Sequence, residues 1–181
     1  MNRRMMIKEA VNGQLEWIYK LYMESFPENE RKPFQLIEEK VKEGKMEILA
    51  IEEEGRLVGL AIAILYQDMV LLDYFAMHQN DRGKGLGGEA IEQLKKRYQN
   101  KRLFLEIEIL DERADNYNER VRRKAFYLNH GLSEAKIYVL LFGVEMEILT
   151  VQCDMTYEEY RSVYIGTFGE TFEDKIKLLK L

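Results

Sequence analysis

Arg82-Gly83-Lys84-Gly85-Leu86-Gly87-Gly88 is the stretch whose reading decides the fold. Before it runs Val70-Leu71-Leu72-Asp73-Tyr74-Phe75-Ala76-Met77, apolar and rich in β-formers. After it, Glu89 to Tyr98 has the spacing of an amphipathic helix. A strand, a glycine loop and a helix start together prepare an anion site. The first N–H groups of a helix lack internal partners, and the macrodipole adds partial positive charge there. Glycines remove the Cβ atoms that would hold a phosphate away from those donors. Four glycines in seven residues also cost backbone entropy that a plain turn does not require. The segment reads as a diphosphate cradle.

Two other phosphate-binding patterns compete. Gly83 to Gly88 fits G-x-G-x-x-G, the dinucleotide motif, which alone is weak evidence. In that fold the first glycine follows its strand almost at once and the unit opens a βαβ domain. Here His78 to Arg82 intervene. Two further strands precede the loop, 45–53 and 56–66, joined by the tight-turn pair Glu54-Gly55. Gln67-Asp68 is a second turn. A meander of this kind argues against the dinucleotide fold. The nucleotide-triphosphate loop is excluded more firmly, because no Ser or Thr follows the glycine-lysine pair.

Arg82-x-x-Gly85-x-Gly87 resembles the acetyl-CoA signature of the GNAT acetyltransferase superfamily, (Arg/Gln)-x-x-Gly-x-(Gly/Ala). Ala76-Met77-His78 resembles the family's fourth strand. Ala125-Phe126-Tyr127-Leu128-Asn129-His130-Gly131-Leu132 resembles its second signature, a helix ending in Tyr and then Gly-Phe, with Leu132 in place of Phe. The element order matches from about Met5 to Cys153.

The composition bounds the rest. At 181 residues the chain is most simply one domain, and a 46% hydrophobic fraction suffices for a core. Its net charge of −5 argues against broad nucleic-acid or membrane-surface binding and suits a cationic acceptor. Cys153 is the only cysteine, so no internal disulfide can form, and a cytoplasmic location is expected. No apolar run is long enough to span a bilayer, and no signal core follows the basic start Met1-Asn2-Arg3-Arg4.

Along the chain, a strand is expected over 5–9 and a helix over 13–25, ended by Phe26-Pro27. Pro33 suits the first turn of a second helix running to Glu43, capped by Gly44. Beyond the cradle come a strand over 102–110, a helix over 118–130, and a hairpin, 137–142 with 144–153, around Gly143. Thr156-x-x-Glu159 is a capping box, so a further helix starts at Tyr157. Its Tyr157, Tyr160, Val163, Tyr164 and Phe168 form an apolar stripe that something must cover, its own domain or a second copy. The expected organisation is an acetyltransferase core over 1–153 and a helical extension over 154–181 packed on the same domain, as monomer or homodimer.

The resemblance implies roles for particular residues. Acetyl-CoA is the implied cosubstrate, with no metal. Its pyrophosphate would lie on the N–H groups of Lys84, Gly85, Leu86, Gly87 and Gly88, with Gly83 in the loop and Arg82 shaping it. Backbone groups of Phe75 and Met77 would flank the pantetheine arm. Tyr127 would protonate the departing thiolate; the plain alternative is a core aromatic. Asp73 is a carboxylate in an apolar strand, which is costly unless it is paired or its pKa rises. It is either a base for the acceptor ammonium or a structural partner of a nearby Arg. One family subset carries its base two residues earlier, where Leu71 stands, so that mechanism does not transfer. Alternation puts Glu106 and Glu108 on one strand face, as base or ammonium contact. Glu28 and Glu30 lie in the loop that borders the acceptor in the family. The basic run Arg120, Arg122, Arg123, Lys124 reads first as a solvated or salt-bridged helix face.

The expected fold is therefore α/β, a mixed and mostly antiparallel sheet of about seven strands, splayed beside the acetyl-CoA site and flanked by helices. The expected activity is acetyl transfer to a primary amine, small-molecule or peptide, by direct attack in a ternary complex. The alternatives are a non-catalytic acyl-CoA-binding module and, further off, a dinucleotide-binding oxidoreductase.

Overall fold

The computed structural model describes residues 4–180. The basic start Met1-Asn2-Arg3 lies outside them. The chain forms two compact units: the residues up to Leu65 with Leu72–Tyr98, and Tyr66–Leu71 with the chain from Gln99 onward.

The first unit holds β1 (Met5–Glu9), α1 (Asn12–Ser25), α2 (Phe34–Lys42), β2 (Met46–Glu53), nearly all of β3 (Arg56–Tyr66), most of β4 (Met69–Met77) and α3 (Leu86–Arg97). β1 and β2 are antiparallel with Ile7 opposite Ile51. β2 and β3 are antiparallel with Leu49 opposite Ala61. The turn between them takes positive φ at Glu54 and Gly55, +51° and +81°, the backbone twist a two-residue hairpin prefers. β4 neighbours β3 across the short turn at Gln67-Asp68, a connection only antiparallel strands can use. Leu49, Ala50, Ile51 and Val58 to Ile64 are buried as continuous runs, so both faces of these strands are covered. Ile18, Leu21 and Tyr22 of α1 and Ile37 of α2 are buried with them. Gly59 permits a close approach, because a Cβ there would stand 2.7 Å from the Ala76 carbonyl oxygen.

In the second unit, Met69–Leu71 of β4 pair in parallel with Arg102–Phe104 of β5 (Arg102–Glu108). β5 pairs antiparallel with β7 (Val144–Thr150), and β7 with β6 (Ser133–Leu141). The closing hairpin is thus inserted with its second strand next to β5. The helices are α4 (Tyr117–Asn129) and α5 (Tyr157–Phe168). The capping box is formed both ways: Thr156 Oγ1 accepts from the Glu159 N–H at 3.2 Å, and Glu159 Oε2 accepts from the Thr156 N–H at 3.0 Å.

The α/β class and the mostly antiparallel sheet are as expected, but the described residues form eight strands, not about seven. The addition is β8 (Ile176–Leu178), pairing antiparallel with β6. It is three residues long and carries no period that sequence could show. The middle of the α5 stripe is buried: Tyr160, Val163 and Tyr164 are fully enclosed, Tyr157 and Phe168 are half-buried, and Tyr160 packs on Phe104 at 6.2 Å between ring centroids. Gly166 lets α5 lie on Tyr66, since a Cβ there would fall 2.0 Å from that ring.

Candidate functional site

In the first unit the glycine loop is set by what precedes it. After β4 a short 3-10 turn over Gln79–Asp81 changes the chain direction. Asp81 is buried and takes both Arg56 nitrogens at 2.9 Å, with Lys84 Nζ at 3.3 Å. The hydrogen bonds from Arg56 hold its carboxyl down at about 2. Arg82 Nε donates to the Met77 carbonyl at 3.1 Å, so Arg82 ties the loop back to the end of β4.

Gly83 and Gly85 both take left-handed φ, +75° and +82°, and a Cβ on either would meet nothing within 4 Å. These glycines are required by backbone conformation, and the space above them is open. Gly85 immediately precedes the first residue of α3. The first in-helix bond is Glu89 N–H to Gly85 O, 3.2 Å. The N–H groups of Leu86, Gly87 and Gly88 donate to no acceptor among the described residues. α3 starts at Leu86 rather than Glu89, because Leu86 is itself buried and draws the two glycines into the first turn. Free donors, open space and a helix dipole fit a diphosphate. Of the strand residues expected nearby, Phe75 is half-buried and Met77 buried.

The same unit holds the loop between α1 and α2. It is bracketed by Pro27 and Pro33, with a 3-10 turn over Glu28–Glu30. Tyr74 Oη donates to the Glu30 carbonyl at 2.8 Å and accepts from the Lys32 N–H at 2.9 Å. Tyr22 Oη donates to the Lys32 carbonyl at 2.7 Å. Lys32 Nζ reaches both Asp73 oxygens, at 2.9 and 2.8 Å. The partner of Asp73 is thus Lys32, where an Arg was expected. Burial raises both phenols, Tyr22 to about 12 and Tyr74 further, the latter helped by the Asp73 charge. Beside the loop lies a groove of about 750 Å³, lined among others by Glu16, Tyr19, Glu28, Arg31, Lys32 and Phe34. Glu28 lines it; Glu30 does not. Lys32 and Tyr74 escaped the sequence reading. The one available signal was Asp73 itself, a carboxylate in an apolar strand that demands a cation without naming it.

In the second unit Tyr127 lies on α4, 7% exposed, its ring 5.2 Å from that of Phe126. Burial lifts its pKa to about 12, against a smaller lowering by Arg123, so the hydroxyl is protonated at neutral pH. No hydrogen bond within the described residues engages that hydroxyl. Glu106 Oε1 accepts from Tyr160 Oη and Tyr164 Oη of α5, both at 2.6 Å.

Glu108 is buried and bound by α4 instead: Arg120 at 2.6 Å and Asn116 at 3.2 Å on Oε2, Arg123 at 3.2 Å on Oε1. The two glutamates expected on one face are thus claimed by different helices. Glu108, expected at the acceptor, is neutralised by two arginines. Of the basic run, Arg120 and Arg123 serve that pair, and Lys124 bridges Glu134 and Glu147. Cys153 follows β7 rather than lying in it, half-buried, its thiol pushed up by burial. Among the described residues no group of three or more His, Cys, Asp or Glu could hold a metal ion. No helix of the described residues is long and apolar enough to cross a membrane.

Comparisons with known proteins agree with this geometry. YjbC of Bacillus subtilis (strain 168), assigned as an acetyltransferase, is 34% identical over 108 residues, 60% of this chain. The chain spans about half of that relative, 53% of its length. A GNAT-family structure from Bacteroides thetaiotaomicron superposes with a TM-score of 0.74 at 16% identity, covering 92% of this chain and 98% of the other. A GNAT acetyltransferase from Elizabethkingia anophelis with acetyl-CoA bound gives 0.61 at 14% identity, covering 82% and 98%. The acetyltransferase (GNAT) family model matches residues 15–127, more than half the chain, taking in both the glycine loop and Tyr127. With an antiparallel meander leading into a left-handed glycine at the start of α3, and that match across it, this chain belongs to the GNAT acetyltransferase family.

Proposed function

We propose that this protein is an N-acetyltransferase that takes its acetyl group from acetyl-CoA and passes it to a primary amine in a ternary complex. The observation that carries the donor is the set of unengaged N–H groups at Leu86, Gly87 and Gly88, behind a left-handed Gly85. The acceptors of those donors would be the pyrophosphate oxygens of CoA. The acetyl-CoA-bound relative from Elizabethkingia anophelis supports the same choice of ligand.

The cosubstrate supplies an activated acyl carbon and a sulfur leaving group. The rest falls to the chain. Direct transfer moves one proton from the attacking nitrogen and places one on the departing sulfur. Tyr127 is the residue for the second step, because its hydroxyl is protonated and engaged by no other residue described. A phenol near 12 stays protonated throughout the neutral range, so Tyr127 has a proton to offer the departing sulfur. Glu106, oriented by two tyrosine hydroxyls, is the carboxylate for the acceptor's ammonium or its released proton. Glu28, on the rim of its groove, and Glu30 mark the acceptor loop. An ammonium is the acceptor that carboxylates select, as a small molecule or a peptide end.

The test is turnover of acetyl-CoA with a panel of amines, read as free thiol release, beside calorimetric titration of CoA. Turnover with at least one amine and micromolar CoA binding are expected. Binding without turnover on any amine would leave a non-catalytic acyl-CoA module, and no binding would remove the donor assignment.

A further inference from the structure

The loop Pro27–Pro33 has its own turn bonds, Glu30 N–H to Pro27 O at 3.0 Å and Arg31 N–H to Glu28 O at 3.3 Å. Yet it is also tied down from outside by two tyrosines and an ion pair. The ion pair is the unusual element. The side chains of Lys32 and Asp73 are 8% and 3% exposed, 41 positions apart in sequence. Nζ contacts both carboxylate oxygens and also stands 5.2 Å over the Tyr74 ring.

For stability alone this is a poor choice. Two charges taken out of water recover their desolvation only with good geometry, and an apolar pair of similar volume is often as stable or more so. What an ion pair adds is direction: it accepts one arrangement where apolar contacts accept several. A proton acceptor for catalysis needs the opposite, an oxygen presented to substrate. Both Asp73 oxygens are presented to Lys32.

We propose that Lys32 and Asp73 are a pair of positioning residues that fix the α1–α2 loop, and with it Glu28, on β4. On this reading Asp73 is not the proton acceptor of the reaction. The proposal rests on the acceptor-side role given to this loop above.

The test uses the full chain and the variants Lys32→Met, Asp73→Asn, Lys32→Arg and the charge-free double Lys32→Met/Asp73→Leu. Amide hydrogen exchange without ligand reads the loop directly, and kinetics on the best amine read the consequence. Lys32→Met, Asp73→Asn and the double variant are each expected to speed exchange over Glu28–Lys32 by about 10-fold or more, while β2 and β3 keep their protection. They should raise the acceptor KM by similar factors, with the double no worse than either single. Limiting kcat, its pH profile and CoA affinity should stay at wild-type values. Lys32→Arg should retain loop protection and KM.

Unchanged loop exchange in both the Lys32→Met and the double variants overturns the proposal. So does loss of the low-pH limb of kcat in Asp73→Asn with normal kinetics in Lys32→Met, which makes Asp73 the base. If Asp73→Asn does not fold, the contrast of Lys32→Met with Lys32→Arg decides. If no amine is acetylated by the wild type, the function reading fails and the exchange measurement alone judges the clasp.

Discussion

Gly85→Ala separates the binding role proposed for the glycine loop from its folding role. Gly85 has φ +82°. A Cβ there touches nothing within 4 Å, so the folding cost is the left-handed backbone alone, about 1–2 kcal/mol. Against a typical stability of about 5–15 kcal/mol the protein remains folded. The added methyl, however, occupies open space on the loop that leads into the Leu86, Gly87 and Gly88 donors. Displacing a diphosphate enough to lose one charge-assisted hydrogen bond costs about 1.5–3 kcal/mol, or about 10- to 150-fold in CoA affinity. A bulkier side chain that loses two such bonds costs the square of that factor. Gly55→Ala is the control. Its φ of +81° and its empty surroundings are nearly identical, but it sits in the β2–β3 turn. Both variants should lose the same stability in urea unfolding, and only Gly85→Ala should lose CoA affinity by calorimetry. Equal CoA affinity in Gly85→Ala and wild type would refute the assignment of the loop as the diphosphate site.

Three further outcomes are expected. Tyr127→Phe should lower kcat about 10²-fold with CoA affinity unchanged, and an unchanged kcat would leave Tyr127 as packing. Asp81, held at about 2 by Arg56, has a folded pKa below the ordinary carboxylate value, so its contribution is complete above about pH 4 and is lost as the pH falls toward 2. Urea unfolding between pH 2 and 5 should therefore show an acid slope that Asp81→Asn flattens. Glu108→Gln should cost about 1–3 kcal/mol of stability, discounted because Arg123 remains partly in water, and leave the acceptor KM unchanged, while Glu106→Gln raises that KM.

Much of this protein was legible from local chemistry. β1 and β3 stand where the periodicity puts them, the turn at Glu54-Gly55 and the capping box at Thr156 are as read, and the glycine loop opens a helix. Those signals are local: a left-handed φ, a cap or an alternation is decided by residues within a turn of one another. The glycine loop belongs to that class, which is why its left-handed turn into a helix could be read from the four glycines. What only the tertiary structure decided is which distant groups meet. Lys32 and Asp73 are 41 positions apart, and Glu106 lies 54 and 58 positions from the two tyrosines that hold it. Alternation put Glu106 and Glu108 on one strand face but could not tell that α5 would claim the first and α4 the second. Nor could it place β7 beside β5, or add β8 to the edge of β6. A buried charge announces in sequence that it needs a partner. The choice of partner is made where the chain folds back, because ion pairs and hydrogen bonds depend on distance in space and carry no mark along the chain.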